Sequence, residues 1–173
     1  MESSNKIKKM IFAAVLTAIS IIIPLQFGFL KIVLGPFTAT IASHVPMFLS
    51  MLVSPGVALF VGLGSAIGFF ITSTPVVAAR AAMHIVVGYI GAKTICKNKN
   101  LKIAILITAP IHAILEGLVL IPFGTSIYEF MVVVVIGTFL HHIVDGTISF
   151  ILANSLAKAR RKNLYEVFIN ESV

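Results

Sequence analysis

Long apolar stretches separated by short breaks rich in proline, glycine or serine dominate the pattern along the chain. Residues 32–79 include no Lys, Arg, Asp or Glu. A hydrophobic run of about 20 residues with few charges is typical of a helix that crosses a lipid bilayer. The pattern therefore predicts an all-α membrane protein that forms a single transmembrane domain over residues 1–173. The six predicted membrane helices cover residues 10–26, 41–53, 56–71, 75–92, 101–121 and 128–157.

The break between the first and second predicted helices is too long and irregular for a tight turn. It covers residues 27–40 and is punctuated by Gly28, Gly35 and Pro36. Long loops in compact proteins often carry function. We therefore expect an outer loop that folds back over the membrane surface. Residues 163–173 are expected to form a short, frayed polar tail.

The distribution of basic residues indicates how the chain is oriented. The net charge of +7 could suggest a nucleic-acid partner, but all thirteen Lys and Arg residues except Lys31 and Arg80 lie in three clusters. The clusters, at 6–9, 93–102 and 158–162, each flank an apolar run, as the positive-inside rule predicts for cytoplasmic segments. Six helices with both termini in the cytoplasm place all three clusters on the same side. The charge therefore indicates a multi-pass membrane protein without a nucleic-acid partner.

Polar side chains inside the fourth and fifth predicted helices indicate a site. An arginine at membrane depth costs about 3 kcal/mol or more, so Arg80 needs a partner or a function. Arg80 and His84 share one helix face, and His112 and Glu116 have the same spacing of four residues. Arginine suits a carboxylate or phosphate, and histidine suits a ring nitrogen or hydroxyl. We expect a pocket for a small polar or anionic molecule, to which His44 also contributes. In the alternative interpretation, Arg80 and Glu116 only lock two helices together.

A second polar group, His141, His142 and Asp145, resembles a metal motif. Adjacent helical residues point about 100° apart, so His141 and His142 cannot easily share an ion. We expect these residues to form a helix-packing network, and no metal or cofactor is predicted. The chain lacks Walker A, H-E-x-x-H and G-x-S-x-G motifs. Two alternatives stay open: a membrane metal hydrolase using this group, and a stand-alone proton-coupled carrier using Glu116 or Asp145.

The whole pattern resembles the S components of energy-coupling factor (ECF) vitamin transporters over about residues 8–160. The shared features are six short helices, a basic N-terminus and the Ala14-x-x-x-Ala18 spacing on the first helix. The run Ala42-Ser-His-Val-Pro-Met-Phe48, followed by Ser54-Pro55 and by Arg80-Ala-x-x-His84, is similar to the niacin-specific members. The pantothenate, folate and pyrimidine branches stay open.

The resemblance implies a non-enzymatic subunit in the cell membrane of a bacterium that binds one vitamin, with niacin favoured. It implies docking through the first helix, at Ala14 and Ala18, onto a transmembrane coupling subunit that carries two ATPase subunits. The vitamin would lie near the outer surface under the first loop. The residues expected to bind it are His44, Arg80, His84, His112 and Glu116. For nicotinate, Arg80 would take the carboxylate and one histidine the pyridine nitrogen, whereas Glu116 would neutralise Arg80 or bind an amide or amine.

Overall fold

The computed structural model describes residues 2–34 and 37–168. Within these residues the chain forms seven α-helices and one two-stranded antiparallel sheet. The helices are α1 (Glu2–Gln26), α2 (Val45–Met51), α3 (Pro55–Thr72), α4 (Pro75–Asn98), α5 (Leu101–Leu120), α6 (Ile136–Ala159) and α7 (Leu164–Phe168). The strands are β1 (Lys31–Leu34) and β2 (Phe37–Thr40). Short 3-10 turns cover Gly28–Leu30 and Ile121–Phe123, and a π-helical segment, Glu129–Val135, leads directly into α6.

Within the described part of the chain, five helices are long and apolar enough to cross a membrane. They are α1, α3, α4, α5 and the continuous segment Glu129–Ala159. The expected helical membrane architecture is therefore present. Proline or a capping side chain begins several of these helices: Ser54 caps α3 and Thr74 caps α4, each followed by proline. Serine or threonine at the N-cap and proline at the first helical position both favour a helix N-terminus.

The segment expected to be a second membrane helix, 41–53, is different. It contains α2, whose seven residues are all buried and extend only about 10 Å at 1.5 Å per residue. The preceding residues form a turn, in which Ala42 has a positive φ of 68°. Pro46 in the first turn and Pro55 beyond the end of α2 limit the helix at both sides. A helix of this length cannot span an apolar layer of about 30 Å by itself.

α1 and α3 run parallel to each other. A Cβ added to Gly64 would lie 2.6 Å from Cγ2 of Thr17, and one added to Gly68 would lie 2.9 Å from Cα of Ile21. Because both helices advance in the same direction along this contact, the intervening chain must return from the end of α1 to the start of α3. The hairpin and α2 make this return, and α2 lies in the core of the bundle.

Each of α4, α5 and α6 packs against the helix before it. The closest approach is at Gly62 of α3, where an added Cβ would lie 2.6 Å from the backbone of Ile85 in α4. All three basic clusters gather at one end of the bundle. Lys8 and Arg160 line a common surface cavity, and the Tyr165 hydroxyl accepts a hydrogen bond from the Leu101 amide beside the middle cluster.

The first loop and the C-terminal tail are more ordered than the sequence suggested. The loop contains the hairpin, in which Lys31 pairs with Thr40, while Gly35 and Pro36 lie outside the described residues. The expectation of a frayed tail is wrong for α7. Phe168 is buried and its ring centroid lies 5.8 Å from that of Phe12 in α1. Residues 169–173 lie outside the described residues.

Candidate functional site

Arg80 of α4 and Glu116 of α5 form a buried ion pair near the end of the bundle opposite the basic clusters. Nη2 and Nε of Arg80 donate to Oε2 of Glu116 at 2.7 and 3.1 Å. The Thr138 hydroxyl of α6 donates to the same oxygen at 2.7 Å. Both charged side chains are about 95% shielded from solvent. A buried charge needs a partner and hydrogen bonds, and each of these groups has both.

The hairpin closes over this pair through Thr38 of β2. Nη1 of Arg80 donates to the Thr38 hydroxyl at 3.2 Å, and Nη2 donates to the Thr38 carbonyl at 3.3 Å. The guanidinium therefore has one edge on Glu116 and another on the hairpin. The edge that contacts Thr38 is the one with which arginine could bind a carboxylate if the hairpin moved.

Three histidines from three elements pack edge to face beside the ion pair. The ring centroid of His44 lies 4.7 Å from those of both His84 and His112, and these two are 5.0 Å apart. Nδ1 of His84 shares a hydrogen bond of 2.8 Å with the Ser65 hydroxyl of α3. Nε2 of His112 lies 3.3 Å from Oε1 of Glu116. All three rings are buried.

Asp145 of α6 stabilises the turn before α2, which contains His44. Its carboxylate accepts hydrogen bonds from the backbone amides of Ala42 at 2.8 Å and His44 at 3.0 Å. Nε2 of His141 lies 3.1 Å from the same carboxylate. The turn contains Ala42 in the left-handed region, a conformation that costs an alanine energy and that these bonds hold in place. Asp145 is thus a positioning residue for His44.

His142, next to His141 on α6, points toward α5 instead. Its Nε2 shares a hydrogen bond of 3.0 Å with the Thr108 hydroxyl, and its Nδ1 lies 3.0 Å from Nδ1 of His112. His141 and His142 therefore contact different elements, as their adjacent helical positions imply. The group considered for a metal hydrolase connects α6 to the hairpin, to the turn before α2 and to α5.

A small cavity of about 30 Å³ lies between these side chains. Its walls include Lys31, Thr38, His44, Arg80, His84 and Glu116. A volume of this size can hold a water molecule or an ion but not an aromatic ring with substituents. In this conformation the hairpin therefore closes the site to a vitamin-sized molecule.

Comparison with known proteins decides the family. No family model matches the chain, and no solved structure matches it. Among curated proteins, the niacin transporter NiaX of Lactococcus lactis subsp. cremoris is 33% identical over 171 residues, which cover 89% of this chain and 77% of the relative. The chain belongs to the NiaX niacin transporter family. This relationship confirms the resemblance to niacin-type S components and the expectation of a transport protein rather than an enzyme.

In this member of the NiaX family, the five side chains proposed from the sequence come together from three separate segments. His44 precedes α2, Arg80 and His84 lie on α4, and His112 and Glu116 lie on α5. Ala14 and Ala18 do not contribute to this site, because they lie on the exposed face of α1.

Three neutral residues of the site were not identified from the sequence. Thr38, Thr138 and Ser65 each form a hydrogen bond to Arg80, Glu116 or His84. Each is a hydroxyl residue in an apolar stretch, which carries no penalty large enough to single it out. The role of each of these hydroxyl residues becomes visible only when the helix that it faces is known.

Proposed function

We propose that this chain is the substrate-binding subunit of an ECF-type importer and that it binds niacin in the site between the hairpin, α4 and α5. The observation that carries the proposal is the Arg80 guanidinium, which Glu116 holds with its other edge toward the hairpin. Thr138 in turn donates a hydrogen bond to Glu116. The NiaX relationship makes nicotinate the first substrate to consider. Nicotinate offers a carboxylate for the guanidinium and a pyridine nitrogen for an imidazole.

Glu116 has a positioning role in this proposal. By accepting two hydrogen bonds from Arg80, it holds the planar fork in one orientation and balances its charge when no anion is bound. A nicotinate carboxylate would then take the place of the two Thr38 contacts. His44, His84 or His112 would bind the pyridine nitrogen, since each of these rings has a nitrogen without a hydrogen-bond partner among the described residues.

Substrate access requires the hairpin to move, because the closed cavity is too small for a ring. β2 covers the site and β1 is exposed, so the hairpin has little packing on its outer face. Opening would break the Arg80–Thr38 contacts, and binding of the vitamin carboxylate would replace them. The hairpin would thus act as a lid whose closure is completed by the substrate.

The proposed topology has six crossings in a single transmembrane domain, with both termini in the cytoplasm of a bacterial cell. It is supported by the parallel arrangement of α1 and α3, which requires residues 27–54 to return across the bundle. It is also supported by the position of the basic clusters at one end, where the positive-inside rule favours the cytoplasm. The site at the opposite end would then face outward.

The proposed partners are a transmembrane coupling subunit and two ATPase subunits, docked through α1. Ala14 and Ala18 lie on a lipid-facing surface of α1 where small residues allow a second helix to approach closely. The family relationship to a transporter argues against the hydrolase alternative. A proton-coupled carrier would need Glu116 or Asp145 to release and bind protons. Three donor groups form hydrogen bonds to Oε2 of Glu116, and two backbone amides form hydrogen bonds to the Asp145 carboxylate, which favours the anion at both positions.

Calorimetric titration of the purified protein with nicotinate, nicotinamide and pantothenate tests the substrate. We expect one nicotinate per chain, with nicotinamide weaker because it lacks the carboxylate that Arg80 binds. Tighter binding of pantothenate, or no binding of nicotinate at any accessible concentration, would contradict the proposal. Uptake by cells that lack the ATPase partners would establish the carrier alternative.

A further inference from the structure

The three histidines beside Arg80 contain buried polar atoms that the protein does not satisfy. Nδ1 of His44 and Nε2 of His112 make no well-formed hydrogen bond, although they lie 3.3 Å from carboxylate oxygens of Asp145 and Glu116. Nε2 of His84 has neither a hydrogen bond nor an ion pair among the described residues. The rings are at most 2% exposed. Buried polar atoms in native proteins are nearly always paired, so the unpaired nitrogen of His84 beside two weakly paired ones indicates a missing ligand.

These histidines and Glu116 also have the geometry of a metal site. Each of the four residues offers one ligand atom, and all four atoms lie within 4.8 Å of one another. Around a tetrahedral zinc ion bound at about 2.0–2.1 Å, ligand atoms lie roughly 3.4 Å apart.

We propose that His44, His84, His112 and Glu116 bind a divalent transition-metal ion, with zinc as the first choice. Three imidazoles and one carboxylate suit zinc, whereas magnesium and calcium prefer oxygen ligands only. The small cavity is lined by three of these residues, His44, His84 and Glu116, and has room for an ion in the closed conformation. The sequence had suggested metal chemistry only at His141, His142 and Asp145, and it predicted no metal.

Contacts behind the four residues match those that orient metal ligands in proteins. A ligating histidine usually has its second ring nitrogen hydrogen-bonded, and here Ser65 bonds Nδ1 of His84 while His142 contacts Nδ1 of His112. Glu116 uses Oε2 for Arg80 and Thr138, which leaves Oε1 facing His112 for an ion. The ligand atoms are therefore held toward a common point.

A dication next to Arg80 would add to the positive potential of the cavity and favour an anionic substrate. In the zinc-bound protein such a substrate would be held through its carboxylate, because the imidazole nitrogens proposed for the pyridine ring would be bound to the ion. This consequence rests on the proposed function, but the metal site itself does not. The two are tested separately when metal binding is measured without any vitamin present. Failure of zinc to bind would leave nicotinate binding untouched, and failure of nicotinate to bind would leave the metal site untouched.

The test is a zinc titration of the full-length protein, purified in detergent and stripped with a chelator, followed by calorimetry and metal analysis. We expect one zinc per chain. His84→Gln and His112→Gln should each lower zinc affinity by on the order of 100-fold, since removing even an outer-shell contact costs about 10- to 100-fold. His141→Gln is the comparison variant. His141 offers no ligand atom to this group of four and acts on it through Asp145 and His44, so its loss should lower zinc affinity by about tenfold at most, less than the loss of either ligand.

Two results would overturn the proposal. One is a wild-type protein that takes up no stoichiometric zinc. The other is loss of zinc in His141→Gln with retention in His84→Gln, which would move the ion to the second cluster of His44, His141 and Asp145. If the variants do not fold, the X-ray absorption spectrum of zinc-loaded wild-type protein decides: three imidazole ligands support the site, and two or fewer contradict it.

Discussion

Replacement of Arg80 with glutamine should weaken nicotinate binding about 30- to 150-fold, whereas nicotinamide binding should change by less than about threefold. The guanidinium makes two contacts to Thr38 that a carboxylate would replace. Truncating one partner of a buried, hydrogen-bonded charge pair costs about 2–5 kcal/mol. Because the Thr38 contacts are given up on binding, we expect the lower end, about 2–3 kcal/mol, which corresponds to the stated range because each 1.4 kcal/mol is tenfold.

Removal of Arg80 also leaves Glu116 as an unpaired buried charge, which alone can destabilise a protein by about 3–5 kcal/mol. The double variant Arg80→Gln, Glu116→Gln removes both charges and separates folding from binding. We expect the double variant to regain thermal stability in detergent but not nicotinate affinity. Lys97→Gln is the charge-matched control, because Lys97 is an exposed cation in the middle basic cluster, away from the cavity. It should change nicotinate affinity by less than about threefold, the range expected for an exposed charge.

Calorimetric titration of each variant with both ligands provides the measurement. If the double variant binds nicotinate with full affinity, the arginine only locks α4 to α5 and the carboxylate contact does not exist. Equal losses of affinity for nicotinate and nicotinamide in Arg80→Gln would also refute the reasoning, because the guanidinium would then not distinguish the nicotinate carboxylate from the neutral amide.

Two further predictions concern the helices around the site. Gly62→Ala should lower the free energy of unfolding in detergent by about 1–3 kcal/mol, because its Cβ would lie 2.6 Å from the Ile85 backbone. Gly56→Ala is the control and should be neutral or stabilising, because nothing lies within 4 Å of its Cβ. Equal melting temperatures for the two variants would contradict the packing argument. Leucine at both Ala14 and Ala18 should abolish vitamin uptake in cells while calorimetric nicotinate affinity is kept, since both residues are exposed on α1. Parallel loss of binding would mean that this face belongs to the fold instead.

The sequence identified charged groups at membrane depth because their burial is costly without partners. Arg80 needs an anion, and Glu116 is the acidic residue of the neighbouring helix, so their convergence followed from helix order alone. His84 and His112 were then placed by the spacing of four residues. This reasoning depends on local periodicity and on a penalty of several kcal/mol, and both are visible in a single sequence.

The elements that the sequence did not reveal depend on long-range contacts. The turn before α2 is held by Asp145, more than one hundred residues away in the chain. The apolar pattern of residues 41–53 therefore looked like a membrane helix, although the structure forms a turn and a short buried helix. The sequence predicts an irregular loop where the hairpin forms, because strands of only four residues each leave no clear alternating pattern.

The identity of the small molecule that the protein carries is the most direct test of its role. The full-length wild-type chain should be purified from cells grown in rich medium, denatured, and its released ligand identified by mass spectrometry. We expect nicotinate at close to one molecule per chain, and far less from the Arg80→Gln, Glu116→Gln double variant. A different vitamin at that stoichiometry, or the same amount of nicotinate from the double variant, would contradict niacin binding at Arg80.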